Sequence, residues 1–258
     1  MKAIIVAAGP GSRLNPLTNE KPKCLLEVGG KTILERALEA LRANGVERIA
    51  VVRGYYSHLI DYPNITYYEN PNYRENNILR SLFYAEREID DDFIFSYSDI
   101  IFDSEIVAKL IECEAEIAIT VDVNWLQRYD GRDLHPISEA ELVKIENGQV
   151  VKIGKEVVRP YEAHGEFIGL AKFTRSGAEA MRTAYHRIAE ERPAAPFQHA
   201  ASLEKAYVTD MIQELVDNGS LVQSIDIKGG WMEIDTPQDL ERAQRQFLTQ
   251  RESIESRE

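Results

Sequence analysis

Arg13, Lys21 and Lys23 stand close to the small-residue run Ala8-Gly-Pro-Gly-Ser12, which follows the apolar stretch Lys2–Ala8. Residues this small cannot keep a phosphate at a distance, and backbone amides in such a turn can face an anion. With fixed positive charge beside it, the turn suits a nucleoside triphosphate held for attack at phosphorus. Two rival glycine motifs fail. A P-loop needs G-x-x-x-x-G-K-[ST], and Gly30-Lys31-Thr32 lacks the glycine five residues before Gly30. A dinucleotide fingerprint needs a third glycine where Leu14 stands, opening straight into a helix; Asn15-Pro16-Leu17 continues the loop instead.

Two distant carboxylates belong with this turn. Asp99 closes the apolar run Phe93–Tyr97, and Asp235 closes Trp231-Met-Glu-Ile234. Ligands of an open α/β sheet lie beyond the carboxyl ends of its strands, so both acids fall on the edge that carries the glycine turn. Either Asp alone also suits a turn or a helix N-cap. Together, beside a basic glycine loop, they are read as holders of one Mg²⁺ that bridges phosphate oxygens. Cys24 and Cys113 match neither a disulfide framework nor a zinc pattern and are read as small packing residues. His135 and His164 are read as surface histidines.

The elements that must position these groups follow from periodicity. Strands are predicted over residues 2–8, 48–53, 65–68, 93–97, 116–123, 166–173 and 221–227, with another over 231–235. Helices are predicted over 31–44, 77–88, 104–113, 176–191 and 207–218, and again after Thr236-Pro237. That alternation predicts βαβ units. Asn147-Gly148 between two strand-like runs marks a hairpin, so residues 125–165 are expected as an antiparallel insertion. The expected fold is α/β: a Rossmann-like mixed, mainly parallel sheet sandwiched by helices, with a small antiparallel β insertion over the mouth of the site. Residues 1–248 are read as one domain, 192–196 as a linker or loop within it, and 249–258 as a polar tail. The 258 residues carry a net charge of −13, which argues against non-specific nucleic-acid binding. A polyanionic ligand must then meet a local basic pocket or a divalent metal. No apolar stretch reaches membrane-spanning length and no signal peptide is seen, so a soluble, cytoplasmic protein is expected.

The run Met1–Ile33, with GPGSRLNPLTNEKPKCLLEVGGKTIL, resembles the signature of the sugar-phosphate nucleotidyltransferases, the pyrophosphorylase superfamily. The resemblance continues through Asp99 and Glu233-Ile-Asp235 to the last helix. Asn76-Asn77-Ile-Leu-Arg-Ser-Leu82 followed by Tyr97-Ser-Asp99 resembles the CTP-dependent phosphocholine and phosphonate cytidylyltransferases. Residues 121–125, 136–141 and 165–170 resemble the phosphonate-linked branch.

The resemblance implies an Mg²⁺-dependent transfer of CMP from CTP, with release of pyrophosphate. The acceptor would be 2-aminoethylphosphonate, another alkylphosphonate or phosphocholine. It implies catalytic roles for Arg13 and Lys23, with Lys23 beside the α-phosphate and Arg13 on the β- and γ-phosphates. Ala8, Gly9, Gly11, Ser12, Ser81 and Ser98 would form the nucleotide site. Asn76 and Asn77 would read the cytosine edge, helix capping being the other use of either. Asp99 and Asp235 would ligate the metal, with Glu233 behind them or as a third ligand. Trp125, Tyr129 and Trp231 would wall an ammonium-bearing acceptor, core packing being their other use. Arg128, Arg132 and Lys172 would hold the acceptor's phosphonate. The expected partners are CTP and that acceptor, with no nucleic acid and no membrane, and a second copy of the chain through the insertion. Two alternatives share the scaffold: a UTP- or dTTP-dependent sugar-1-phosphate enzyme, and a non-catalytic nucleotide sensor.

Overall fold

A computed structural model describes residues 1–192 and 195–255. Pro193 and Ala194 of the expected linker, and the last three residues of the expected tail, lie outside the described residues. In chain order the elements are β1 (Lys2–Ala7), β2 (Glu27–Val28), β3 (Lys31–Thr32), α1 (Ile33–Arg42), β4 (Arg48–Arg53), β5 (Ile65–Glu69) and α2 (Ile78–Phe83). Then come β6 (Phe93–Tyr97), β7 (Ile100–Phe102), α3 (Ser104–Glu112), β8 (Ile117–Asp122), β9 (Glu141–Glu146) and β10 (Gln149–Lys155). The remainder are β11 (Gly165–Phe173), α4 (Arg175–Glu191), α5 (Val208–Asp217), β12 (Val222–Ile227), β13 (Trp231–Glu233) and α6 (Pro237–Glu255).

Fully apolar runs become the centre of a nine-stranded sheet. β1 lies between β4 and β6, parallel to both, and β5 adds in parallel outside β4. Such strands are buried on both faces, which is why they read as continuous apolar runs rather than as alternation. Ile4 points into one core, with Phe93, Phe95, Met181 and Met211, while Ile5 points into the other, with Leu34, Leu38, Ile106 and Leu110. Each such fully buried side chain contributes roughly 1.5–3 kcal/mol relative to exposure. The predicted helix over 31–44 starts only at Ile33. Thr32 caps it by accepting from the Glu35 amide while the Glu35 carboxylate accepts from the Thr32 amide, a reciprocal pair that fixes the first turn.

β11 joins the two halves of the sheet. Its first residues pair with β9 and its last four with β6, both antiparallel, and a bulge between Phe167 and Ala171 interrupts its pairing with β8. Gly169 sits in that bulge at φ +85°, where an added Cβ would lie 2.3 Å from Cδ2 of Tyr97, so only glycine fits. The β9–β10 hairpin turns at Asn147 and Gly148, both at positive φ, and continues the main sheet from β11. Glu139, Glu141 and Lys155, from the expected insertion, line the cleft described below.

A small ribbon outside the main sheet sets the active geometry. β13 pairs antiparallel with β7, Glu233 opposite Ile100, and the Ile234 amide donates to the Asp99 carbonyl at 2.9 Å. This ribbon fastens Asp99 and Asp235 side by side although most of the chain separates them.

Candidate active site

The glycine turn ends at Gly11, whose φ of +62° is left-handed, and an added Cβ there would lie 2.7 Å from Lys23 Cβ. Glycine therefore lets Lys23, in the 3₁₀ turn Lys23–Leu25, fold back over the loop. Its Nζ reaches Asp99 Oδ2 at 2.7 Å and also pairs with Asp235 Oδ1. Arg13 donates from Nη2 to Asp235 Oδ2 at 2.6 Å and lies 3.5 Å from Glu139. Burial alone would push the Lys23 ammonium down, but Asp99 and Asp235 outweigh it and hold its pKa above the ordinary lysine value. Burial would likewise raise the Asp235 carboxyl, yet Lys23 and Arg13 keep it well below the usual carboxylate range. Lys21 is exposed.

A second group of side chains supports Asp235 from behind. Asp239, in the first turn of α6, accepts through Oδ2 from the amides of Asp235 at 3.1 Å and Thr236 at 2.8 Å. Its other oxygen accepts from Arg132 Nε at 2.6 Å, and Arg132 Nη2 donates to Glu233 Oε2 at 2.9 Å. His135 is buried against the same acids, 3.4 Å from Asp235 Oδ2 and 3.6 Å from Glu233 Oε2. Its burial contradicts the surface reading. Burial and the neighbouring Arg132 push its pKa down to about 4, while burial and Asp235 drive that of Glu233 upward.

Around this centre lies a cleft of two lobes. The smaller, about 290 Å³, is lined by Val6, Ala7, Gly9, Tyr73, Asn76, Ser81 and Ser98. The larger, about 470 Å³, is lined by Ser12, Arg13, Tyr97, Glu139, Glu141, Lys155, Glu166, Tyr207, Trp231, Glu233 and Asp235, among others. Gly11, Lys23, Asn77 and Asp99 line both. Two ligands, one per lobe, would therefore meet at Lys23 and Asp99.

Several expected site residues have other employment. Ala8 is buried in the wall, with its carbonyl accepting from the Tyr55 amide at 3.0 Å. The Asn76 amide exchanges hydrogen bonds with Asn70, at 2.9 and 3.2 Å. Asn77 caps α2 by accepting from the Ile78 amide and donates to the Lys205 carbonyl. Both amides thus have partners within the protein, helix capping being the use already open to Asn77, and both residues still line the smaller lobe. Asn70, fully buried and without any motif to announce it, also donates to Ser81 Oγ at 2.9 Å and so holds this wall in place.

On the acceptor side, Trp231 faces the large lobe and its indole donates to Asp122 at 2.8 Å. Trp125 and Tyr129 pack with Leu142 and Val158 instead, because 125–129 folds into a short turn with its own apolar cluster. Arg128 pairs with Asp122 and Arg132 with Glu233 and Asp239, and both line a separate cavity of about 250 Å³ with Asp239 and Arg242. Lys172 is placed far from the cleft. β11 runs antiparallel to β6, so Lys172 lies opposite Ile94, near the start of that strand, and its ammonium donates to the Cys113 carbonyl.

In their place the large lobe presents acids that the sequence left as ordinary strand residues. Glu141 accepts from the hydroxyls of Tyr97 at 2.8 Å and Thr209 at 2.7 Å. Glu166 accepts from the Tyr129 hydroxyl at 2.7 Å through one oxygen; the other is buried without a hydrogen-bond partner among the described residues. Burial pushes the Glu166 carboxyl up to about 7. Lys155 pairs with Glu139 at 2.9 Å and lies over the Tyr207 ring at 4.7 Å. The period-two pattern of a strand assigns such residues to alternate faces, but only the pairing partners decide which face is the cleft.

The family model of the MobA-like NTP transferase domain matches residues 3–187. The CTP:phosphoglutamine cytidylyltransferase of Campylobacter jejuni is 33% identical over 252 residues, spanning 93% of this chain and 98% of that protein. The 2-aminoethylphosphonate cytidylyltransferase of Lancefieldella rimae is 30% identical over 195 residues, 71% of each chain. The solved CTP:phosphocholine cytidylyltransferase of Streptococcus pneumoniae superposes with a TM-score of 0.73 at 21% identity, over 95% of this chain and 97% of that one, a likeness of fold.

Proposed function

This chain belongs to the MobA-like NTP transferase domain family, and from that membership we propose that it transfers CMP from CTP to a small, amine-bearing phosphonate or phosphate, releasing pyrophosphate. The observation that carries this reading is the position of Lys23, at the boundary of the two lobes with both Asp99 and Asp235 on its ammonium. CTP would lie in the smaller lobe beside the glycine turn, and the acceptor in the larger. The acceptor oxygen attacks the α-phosphorus, a new P–O bond forms, and the bond to the bridging oxygen breaks with its electron pair leaving on pyrophosphate. The attacking oxygen is already anionic, so no base is required. Catalysis then consists of alignment and charge neutralisation. Lys23 neutralises charge growing at the α-phosphate and the bridging oxygen, and Arg13 turns from Asp235 to the β- and γ-phosphates.

The residues fit a magnesium ion. Asp99 Oδ1 is buried with no hydrogen-bond partner among the described residues, and Asp99 and Asp235 already share one cation. Asp99 and Asp235 would hold the Mg²⁺, which would supply positive charge against that of the phosphates. The large lobe also favours an acceptor that carries an ammonium group beside its phosphonate or phosphate. Six carboxylates line it against Arg13, Lys23 and Lys155, an unwelcoming surface for a bare phosphonate. An ammonium group would meet the unpartnered Glu166 oxygen and the face of Trp231 or Tyr207. The names of the relatives agree with this class: phosphoglutamine and 2-aminoethylphosphonate.

The test is pyrophosphate release with each of the four nucleoside triphosphates. The acceptors are 2-aminoethylphosphonate, phosphocholine, phosphoglutamine and glucose-1-phosphate. Release with CTP and an amine-bearing acceptor is expected. Release confined to UTP and the sugar would overturn the assignment, and no release with any pair would favour a nucleotide sensor.

A further inference from the structure

Behind the Lys23 pair, His135 and Glu233, to which the transfer described above gives no role, converge with Asp235, to which it does. One ligating atom from each lies within 4.8 Å of the others. His135 is 2% exposed, and its Nδ1 is buried with no hydrogen-bond partner among the described residues. That nitrogen lies 3.4 Å from Asp235 Oδ2, and Nε2 lies 3.6 Å from Glu233 Oε2. A neutral imidazole has one N–H and one lone pair, and an ionised carboxylate has no proton to offer the lone pair. Both ring nitrogens face carboxylate oxygens, and once both carboxylates are ionised, as they are when they ligate a cation, one of the two contacts sets lone pair against lone pair. A cation between them removes the repulsion.

We propose that His135, Glu233 and Asp235 form a divalent-cation site with one nitrogen donor, taking Mn²⁺, Co²⁺ or Zn²⁺ in preference to Mg²⁺. Magnesium seeks an oxygen shell and keeps its waters, whereas imidazole suits the later first-row ions. The carboxylates retain capacity for it. Arg132 occupies one lone pair of Glu233 Oε2 and Arg13 one of Asp235 Oδ2, and each oxygen has another. Entry is through the large lobe, which Glu233 and Asp235 both line. The site shares Asp235 with the proposed magnesium pair and adds His135 and Glu233 in place of Asp99, so it does not depend on which nucleotide the enzyme uses.

The experiment adds Mn²⁺ alone to the full-length, nucleotide-free protein and records its electron spin-echo modulation. Wild type is expected to bind Mn²⁺ with ¹⁴N coupling from one imidazole, at least tenfold more tightly than Mg²⁺ in competition. Asp99→Asn should keep that coupling. His135→Asn should lose it and bind Mn²⁺ at least tenfold more weakly. Bound Mn²⁺ without nitrogen coupling in wild type would overturn the proposal, and that spectrum decides even where the histidine variant fails to fold. Coupling that persists in His135→Asn would overturn it as well.

Discussion

Lys23 is the residue on which two carboxylates from distant parts of the chain close, and its removal bears on both chemistry and stability. Lys23→Met should lower kcat/KM by about 2–4 kcal/mol of transition-state stabilisation, the range found when a single preorganised donor to developing charge is lost. Steady-state kinetics with CTP and the best acceptor, alongside circular dichroism to show a folded variant, would check it. The same substitution changes the acid limb of stability. Asp235 is held below its unfolded value near 3.9, so its contribution is complete above that pH and fades as pH falls through the folded value. Without Lys23 the depression shrinks, and urea denaturation between about pH 2 and pH 4 should show a shallower loss relative to neutral pH than in wild type. Glu166 works in the opposite sense. Its folded pKa of about 7 lies above the unfolded value near 4.3, so stability is greatest below the latter and is lost as pH rises toward 7. Glu166→Gln should therefore match wild type near pH 4 and exceed it at pH 8, by on the order of 1–3 kcal/mol. Thermal melts at the two pH values test this, and equal differences at both would reject it.

At the scale of elements, the decisive part is the start of α6. Asp239 ties the amides of Asp235 and Thr236 to Arg132, and both charged side chains are buried. Asp239→Ala leaves the Arg132 guanidinium short of one counter-charge and should cost about 3–5 kcal/mol in chemical denaturation. It should also lower kcat by letting Asp235 shift. Adding Arg132→Met should recover part of the stability and none of the activity, a double-mutant cycle that separates the two effects. Nothing in the local pattern announced this device, since Thr236-Pro237 and an acid in the first turn describe any helix start. The strands Arg48–Arg53 and Phe93–Tyr97 were legible to the residue because apolar runs bound them, and the β9–β10 hairpin was legible from its Asn-Gly turn. β7 was not, because three residues acquire strand geometry only by pairing with β13, far along the chain. The site divides in the same way. Residue type and spacing pointed to Gly11, Arg13, Lys23, Asp99 and Asp235, where glycine conformation or strand-end position carries the information. The roles of Asn76, Asn77, Arg132 and Lys172 depended on partners (Asn70, Lys205, Asp239 and Cys113) that no local pattern selects.

For the whole molecule, charge and architecture pull in different directions. Parallel strands β1 and β6 deliver the glycine turn and Asp99 to one edge of the sheet, where a triphosphate would bind. The chain around that edge carries a net charge of −13, and the large lobe has more acids than bases. Among the described residues no helix is long and apolar enough to cross a membrane. The cations nearest the proposed phosphate path, Lys23 and Arg13, are already matched by Asp99, Asp235 and Glu139. A metal-free triphosphate should therefore approach against a repulsive field that salt screens, since the Debye length falls from about 30 Å at 0.01 M to about 8 Å at 0.15 M. CTP binding without divalent cations is expected to tighten about two- to threefold as KCl rises from about 20 to 200 mM. That is the reverse of a nucleic-acid binder, whose affinity falls with salt through counterion release. Adding Mg²⁺ should strengthen binding and flatten the salt dependence, because the metal would supply the charge that the cleft lacks. Titration calorimetry at several salt concentrations, with and without Mg²⁺, distinguishes the cases. Metal-free affinity that falls with salt would mean that Lys23 and Arg13 leave their carboxylates and dominate the local field before any metal arrives.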